Sequence, residues 1–248
     1  MSSTLGLLAD TIPSSCVDGP GNRFVVFLQG CSFDCIACHN PNTIPRRKVG
    51  SSRFVGIADL VDQIRDAAPF VSGVTVSGGE ATCQWQFVQE LFHDVKTDAQ
   101  LSRLTTYVDS NGDAEQFVWD ALMPWMDAAM IDLKALDPDV HHYLTGESNE
   151  RVLASIEHLA RTGHLYEVRL LLVPEVNDDA TQLRATARWL AGMDPSTRVK
   201  LIGFRRHGTR RIAAHFAEMT AGRLSDARDI LTGSGLRNVV VVSAPTGA

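Results

Sequence analysis

Residues 23–39 read Arg23-Phe-Val-Val-Phe-Leu-Gln29-Gly30-Cys31-Ser-Phe-Asp-Cys35-Ile-Ala-Cys38-His39. The first half is a β-branched and aromatic run of the kind that forms a strand. It stops at Gly30, and three cysteines follow at once. The same arrangement, a strand ending in a polar or glycine-rich loop and then a helical pattern, recurs along the chain.

Helical spacing of Ile57, Leu60, Val61 and Ile64 predicts a helix over 57–68, closed by Pro69. Residues 73–77 read as a strand and 85–95 as a helix with Phe87, Val88, Leu91 and Phe92 on one face. Further strands are predicted at 104–108, 128–133, 166–173, 199–204 and 238–242, with helices at 114–123, 151–161, 180–190 and 224–232. Units of about 25 to 35 residues repeated in this way imply a parallel sheet with helices packed outside it. About six fit the length, enough for an open barrel and short of eight. The fold class is therefore α/β: a partial (β/α)6 TIM-like barrel. No linker or low-complexity segment divides the chain, so residues 1–248 read as a single domain.

In such folds chemistry sits on the loops after the C-terminal strand ends. Four of those ends carry polar or glycine-rich clusters: residues 30–40, Ser77-Gly78-Gly79-Glu80, Asp109-Ser110-Asn111-Gly112, and Asp132 with Lys134. The strand ends converge on one place, which weighs more than any single motif.

Composition bounds the rest. A hydrophobic content of 44%, a charged content of 21% and no long apolar run describe a soluble globular chain, and the first ten residues lack a signal-peptide pattern. The location expected is cytoplasmic. A net charge of −6 argues against nucleic acid as a partner. Basic residues gather as Arg46-Arg47-Lys48 and as Arg205-Arg206 with Arg210-Arg211; the plain reading is a solvated surface. Five cysteines, three of them crowded together, do not form a disulfide framework. Cys16 and Cys83 stand alone and read as small packed side chains.

Cys31, Cys35 and Cys38 follow the spacing C-x3-C-x2-C. Three thiolates on one loop can hold three irons of a [4Fe–4S] cube and leave the fourth open. The competing assignment is a zinc site of Cys31, Cys35, Cys38 and His39. Zinc ligands usually come from two separate knuckles, whereas all four candidates here share one loop.

The cysteine spacing together with Gly78-Gly79-Glu80 resembles the radical SAM superfamily. More narrowly, residues 17–23, 27–31 and 38–40 resemble the activating enzymes of glycyl radical enzymes, as do 109–112, 131–134, 141–146, Ser148-Asn149 and the run from Arg169 to Val173-Pro174. The resemblance implies one [4Fe–4S] cluster on Cys31, Cys35 and Cys38, with S-adenosylmethionine on its open iron. It implies that Ser77, Gly78, Gly79 and Glu80 receive the methionine amino group. His39, Asp109, Ser110 and Asp132 then surround the carboxylate and a monovalent cation, and Asn111 and Lys134 meet the nucleoside or methionine. Asp18 and Arg169 match residues that receive the partner's glycine loop; an ordinary turn and a strand-buried ion pair are the plain alternatives. The reaction implied is reductive cleavage to a 5′-deoxyadenosyl radical, which takes a hydrogen atom from a glycine of the partner. The setting implied is anaerobic.

Two departures from the family stand out. Many members carry a cysteine-rich ferredoxin-like insert, but residues 41–76 contain no cysteine. A flavodoxin or ferredoxin would have to reduce the cluster directly. The family's Leu-Pro-Tyr-His segment is replaced by Ile202-Gly203-Phe204-Arg205 and then Arg206-His207, so the histidine's role passes to Arg205 or His207, or is lost. Two other readings compete: a radical SAM enzyme acting on a small molecule, and a non-catalytic metal-binding scaffold or redox sensor. A monomer is expected, since the partner's loop must reach the barrel mouth.

Overall fold

The computed structural model describes residues 4–242. Nine strands form one sheet in the order β3-β1-β2-β4-β5-β6-β7-β8-β9. Seven of them run parallel: β2 (Arg23–Leu28), β4 (Gly73–Gly78), β5 (Thr105–Ser110), β6 (Ala128–Asp132), β7 (Leu165–Leu172), β8 (Arg198–Gly203) and β9 (Asn238–Val242). Six helical crossovers join them, carrying α1 (Ile57–Ala67), α2 (Trp85–Thr97), α3 (Gln116–Leu122), α4 (Pro138–Thr145) with α5 (Glu150–Thr162), α6 (Ala180–Met193) and α7 (Ala221–Gly233). The partial (β/α)6 barrel is as expected, and it is not closed. Its edges are β9 and β3 (Arg53–Gly56), the latter paired to β1 (Leu5–Ser15).

The antiparallel pair β1 and β3 was not among the expected elements. In β1, register shifts between Leu8 and Asp10 and between Ile12 and Ser15 break the period-two alternation that marks a strand. β3 is only four residues long. α4 was also unread, although its signals are present. Asp137 caps it by accepting from the amides of Asp139 and Val140, Pro138 opens it, and Gly146 ends it at φ +82°.

Strand alternation sorts side chains into two populations. Thr106, Val108 and Ser110 of β5 are buried, while Thr105, Tyr107 and Asp109 are half-buried and face the barrel interior. The outward set (Val26, Leu28, Val76, Val108, Ile131, Val168, Leu201) joins Leu60, Leu91, Trp119, Ile156, Leu190 and Leu231 of the helices in one apolar core. Burying each such side chain contributes about 1.5–3 kcal/mol. The inward set carries the polar residues Ser77, Asp109, Asp132 and Arg169 beside Phe27, Leu171 and Ile202, and it builds the site.

At the barrel floor Arg23 is fully buried. Its guanidinium donates to Thr75 Oγ1 at 2.6 Å, Val74 O at 2.8 Å and Thr105 O at 3.0 Å, and stands 4.3 Å over the Tyr107 ring. With hydroxyls and carbonyls as partners, burial lowers its pKa to about 10. Arg23 thus ties β2, β4 and β5 together below the cavity.

Candidate functional site

The residues assigned by the sequence to the cluster, S-adenosylmethionine and the partner's glycine loop all line one cavity of about 380 Å³ at the C-terminal ends of the strands: Cys31, Cys35, Cys38 and His39; Ser77, Gly78, Gly79 and Glu80; Asp109, Ser110 and Asn111; Asp132 and Lys134; Asp18 and Arg169. Phe27, Phe33, Leu144, Leu171, Val173 and Ile202 complete an apolar wall that had no motif to announce it.

The cysteine loop is fixed at both ends. Gly30, at φ +106°, donates to Thr43 O at 2.7 Å, and Cys31 N donates to Ile44 O at 3.0 Å. Asp34 and Ile36 amides donate to Thr145 O and Leu144 O at the end of α4, at 3.0 and 2.9 Å. Cys31 Sγ accepts from Phe33 N and Cys38 Sγ from Asn40 N, both at 3.4 Å. Burial pushes all three thiols up, Cys35 to about 11, so without metal they are neutral at pH 7. Metal capture must therefore release protons.

The donor set fits an iron–sulfur cube: three half-buried thiols on one loop, two of them already accepting amide hydrogen bonds. A cube asks each thiolate for a different iron, whereas zinc asks four ligands to meet at one point. Among the described residues no three His, Cys, Asp or Glu side chains converge on a single point. His39 Nε2 is 2.8 Å from Arg205 O, and its ring stacks on Phe204 at 6.1 Å. That contact orients the ring and leaves Nδ1 open; what disfavours zinc is that the thiols share one loop and do not meet at a point with His39.

The two glycines are required by the chain's own backbone. Gly78 has φ +123°, and a Cβ there would collide with the Leu28 backbone; at Gly79 it would meet Gly30 O and Thr43 O. Glu80 is 1% exposed. Its Oε1 accepts from Thr82 N at 2.8 Å, Thr82 Oγ1 at 2.7 Å and Ser110 Oγ at 2.7 Å, and its Oε2 from Asn111 N at 2.7 Å. Burial raises its carboxyl, against those donors. Glu80 therefore joins the ends of β4 and β5. Asn111 Nδ2 in turn donates to Ser32 Oγ at 3.0 Å and steadies the root of the cysteine loop.

Charge runs down the inner wall in alternating sign. Asp109 accepts from Ser77 Oγ at 2.9 Å and Arg169 Nη1 at 2.8 Å, and Lys134 Nζ lies 2.8 Å from Asp132. Arg169 continues to Glu167 at 2.9 Å, which also receives Arg198 at 2.8 Å. Burial raises the Asp109 carboxyl; at Asp132 burial acts the same way, but Lys134 and Arg169 outweigh it and hold that carboxyl low. Arg169 is thus both a buried ion pair and a cavity residue. Glu167, 2% exposed, had no signal in the sequence beyond its place in an apolar strand.

Asp18 is held by both its side chain and its backbone. Ser15 Oγ donates to its carboxylate at 2.5 Å, and Thr75 Oγ1 to its carbonyl at 2.7 Å. Lys200 reaches Val17 O at 3.4 Å, so the Asp18 loop lies across from β4 to β8. Arg205 and His207 stand outside the cavity, where Ile202 forms the wall, which leaves loss of the family histidine's role among the three alternatives. Two sequence expectations need correction. Cys16 and Cys83 are exposed, not packed.

The comparisons agree with this geometry. The Radical SAM superfamily model matches residues 25–187, and the chain belongs to that superfamily. Within it, the chain is 30% identical over 212 residues to the pyruvate formate-lyase 1-activating enzyme of Escherichia coli K12, covering 83% of each chain. It is 35% identical over 182 residues to the pyruvate formate-lyase-activating enzyme of Streptococcus mutans, covering 70% of this chain and 67% of that one. A solved domain of a pyruvate-formate lyase-activating enzyme from Bacteroides vulgatus superposes with a TM-score of 0.58 at 24% identity, over 69% of this chain and 99% of that one. The protein is a radical SAM enzyme of the activating kind, and the superfamily implies a [4Fe–4S] cluster and S-adenosylmethionine. No helix among the described residues is long and apolar enough to cross a membrane.

Proposed function

We propose that this enzyme activates a glycyl radical enzyme by removing a hydrogen atom from the α-carbon of one glycine of that partner. The observation that carries the reading is the meeting of the cysteine loop, the Gly78-Gly79-Glu80 turn and the Asp109, Asp132, Lys134 and Arg169 charges around one cavity, with Asp18 beside them. A cluster held by Cys31, Cys35 and Cys38 would supply the one-electron reduction of S-adenosylmethionine bound in that cavity, and so the radical chemistry that removes the hydrogen atom.

The chain's own residues bind, orient and exclude. Cys31, Cys35 and Cys38 hold the irons. The backbone at Ser77, Gly78 and Gly79 receives the methionine amino group. Glu80, Asn111 and Ser110 keep that turn and the cysteine loop at a fixed separation. Lys134 balances Asp132 and Arg169 balances Asp109. His39, Asp109, Ser110 and Asp132 would surround the ligand carboxylate and a monovalent cation that offsets its charge. The apolar wall of Phe27, Phe33 and Ile202 offers no reactive donor beside the glycine. Asp18 and Arg169 meet the glycine loop. The protein works as a one-domain monomer in an anaerobic cytoplasm, with a flavodoxin or ferredoxin as reductant.

Electron paramagnetic resonance tests this. Reduced, reconstituted enzyme with S-adenosylmethionine is mixed with candidate glycyl radical enzymes. A doublet that appears only with an intact glycine loop supports the reading. Cleavage of S-adenosylmethionine without any radical on such partners, but with turnover of a small molecule, would replace it.

A further inference from the structure

The two basic segments of the sequence are far apart in the chain, yet both reach the cysteine loop. Arg46 Nε donates to Cys31 O at 3.0 Å. Arg210 Nη2 donates to Asp34 O and Cys35 O, both at 2.9 Å, while its Nη1 lies 2.7 Å from Asp34 Oδ1. The Arg205 carbonyl holds His39. The loop is therefore bracketed by positive charge on two sides of its outer face.

This concentration is at odds with the rest of the molecule. Residues 31–48 and 204–219 carry seven Arg or Lys against Asp34 and Glu218, a net of +5 in a chain of net −6, which leaves −11 for everything else. Arg46, Arg47, Lys48, Arg206 and Arg211 are exposed, and among the described residues none of them forms an ion pair. None of the five lines the cavity. Like charges gathered with only Asp34 and Glu218 among them, paired to Arg210 and Arg205 respectively, repel one another, and the cavity does not use them. What they provide is exposed positive charge on a negative protein, in the two segments whose Arg46 and Arg210 contact the cysteine loop. No other cysteine lies between residues 41 and 76 to relay that electron from elsewhere.

We propose that Arg46, Arg47, Lys48, Arg206 and Arg211 form the docking surface for a small acidic one-electron carrier protein of the flavodoxin or ferredoxin kind, seated on the outer face of the cysteine loop. The inference rests on the reading of the loop as a cluster site. One electron leaves the carrier, which is oxidised by one, and reduces the cluster by one; no bond is made or broken. Opposite charge steers the encounter and raises its rate.

Anaerobic stopped-flow absorbance measures cluster reduction by fully reduced flavodoxin and, separately, by reduced methyl viologen, a cation that a positive surface cannot attract. The variants are Arg47→Glu with Lys48→Glu, Arg206→Glu with Arg211→Glu, and Arg161→Glu at the far end of the barrel as control. Each paired reversal is expected to slow the flavodoxin reaction about tenfold or more at low salt. The difference should shrink as salt screens it, with the viologen rate not slowed and Arg161→Glu without effect. Neutral Arg47→Gln with Lys48→Gln replaces any reversal that fails to fold, and should give a smaller slowing of the same sign. Calorimetry adds a readout free of turnover: the reversals should weaken binding of oxidised flavodoxin to the metal-free protein. Unchanged flavodoxin rates alongside normal viologen reduction would overturn the proposal. So would reversals that slow only radical formation on the glycine-bearing partner, which would assign the surface to that partner. Failure of the functional reading looks different: the cluster is reduced, but S-adenosylmethionine stays intact.

Discussion

At the N-terminal ends of the strands a cavity of about 760 Å³ opens among Glu157, Arg161, Tyr166, Met193, Asp194 and Arg198, twice the volume of the one at the C-terminal ends. Its polar groups are mostly at the surface. Asp194 is exposed and bonds Ser196, and a Cβ at Gly163 would meet nothing within 4 Å. The smaller cavity is built from the opposite materials. Glu80 and Arg169 are buried, their hydrogen bonds cross from strand to strand, and a Cβ at Gly78 or Gly79 would run into neighbouring backbone. Volume does not mark the site here; constraint does. Polar groups that cost free energy to bury are retained where they position chemistry.

The sharpest contrast is between glycines. Gly78→Ala places a Cβ in the Leu28 backbone at φ +123°, and is expected to cost about 3 kcal/mol or more, measured by denaturant unfolding. Gly163→Ala also sits at positive φ, +76°, but in open space, so about 1 kcal/mol is expected. Equal losses would mean that the C-terminal end is not the tighter one.

Acid sensitivity should also sit at the C-terminal end. His141, behind the cysteine loop, is fully buried against Phe33, with only a weak approach to the Ala135 backbone to offset the burial of its ring nitrogens. Burial lowers its pKa to about 4 from 6.5. The folded state therefore disfavours the proton. Its stability is full above about pH 6.5 and is lost as pH falls toward 4, amounting to about 2 kcal/mol at pH 5. His141→Phe should flatten that slope in unfolding curves between pH 7.5 and 5. A slope that persists would place the acid-sensitive group elsewhere.

The smallest effect concerns the segment after β8. Arg210→Gln loses a partly exposed ion pair and two carbonyl contacts on the cysteine loop, so global stability should change by no more than about 1 kcal/mol. Iron loss to a chelator should nevertheless quicken a few-fold, and Arg210→Lys should restore little of it, because lysine lacks the planar fork. An unaltered rate of iron loss would show that the loop needs no clamp on that side.

Much of this was legible in the sequence, for identifiable reasons. Seven parallel strands and six outer helices announced themselves through apolar runs and helical periodicity, and the reactive residues through their position just after those runs. β1 stayed hidden because its bulges disrupt alternation, and α4 because a short helix has little periodicity to read. The cavity residues were found by motif, but their partners were not. Glu80 reads as a ligand-facing carboxylate and proves to be tied to Thr82, Ser110 and Asn111. Glu167 and Arg198 look like scattered charges until the sheet brings them to one wall. Cys83 reads as packed, since cysteine usually is, yet it stands exposed on the short turn after Glu80. Such pairings depend on which strands are neighbours, and one chain read in order does not contain that information locally.

The central claim is that three cysteines at the C-terminal end of the barrel hold a cluster that cleaves S-adenosylmethionine. The most direct measurement is iron content and 5′-deoxyadenosine yield after anaerobic reconstitution and reduction, for the parent protein and for Cys35→Ala. The account predicts four irons per chain on the order of the cube's stoichiometry, product from the parent, and product reduced at least about 10³-fold in the variant. Zinc in place of iron, or equal product from Cys35→Ala, would contradict it.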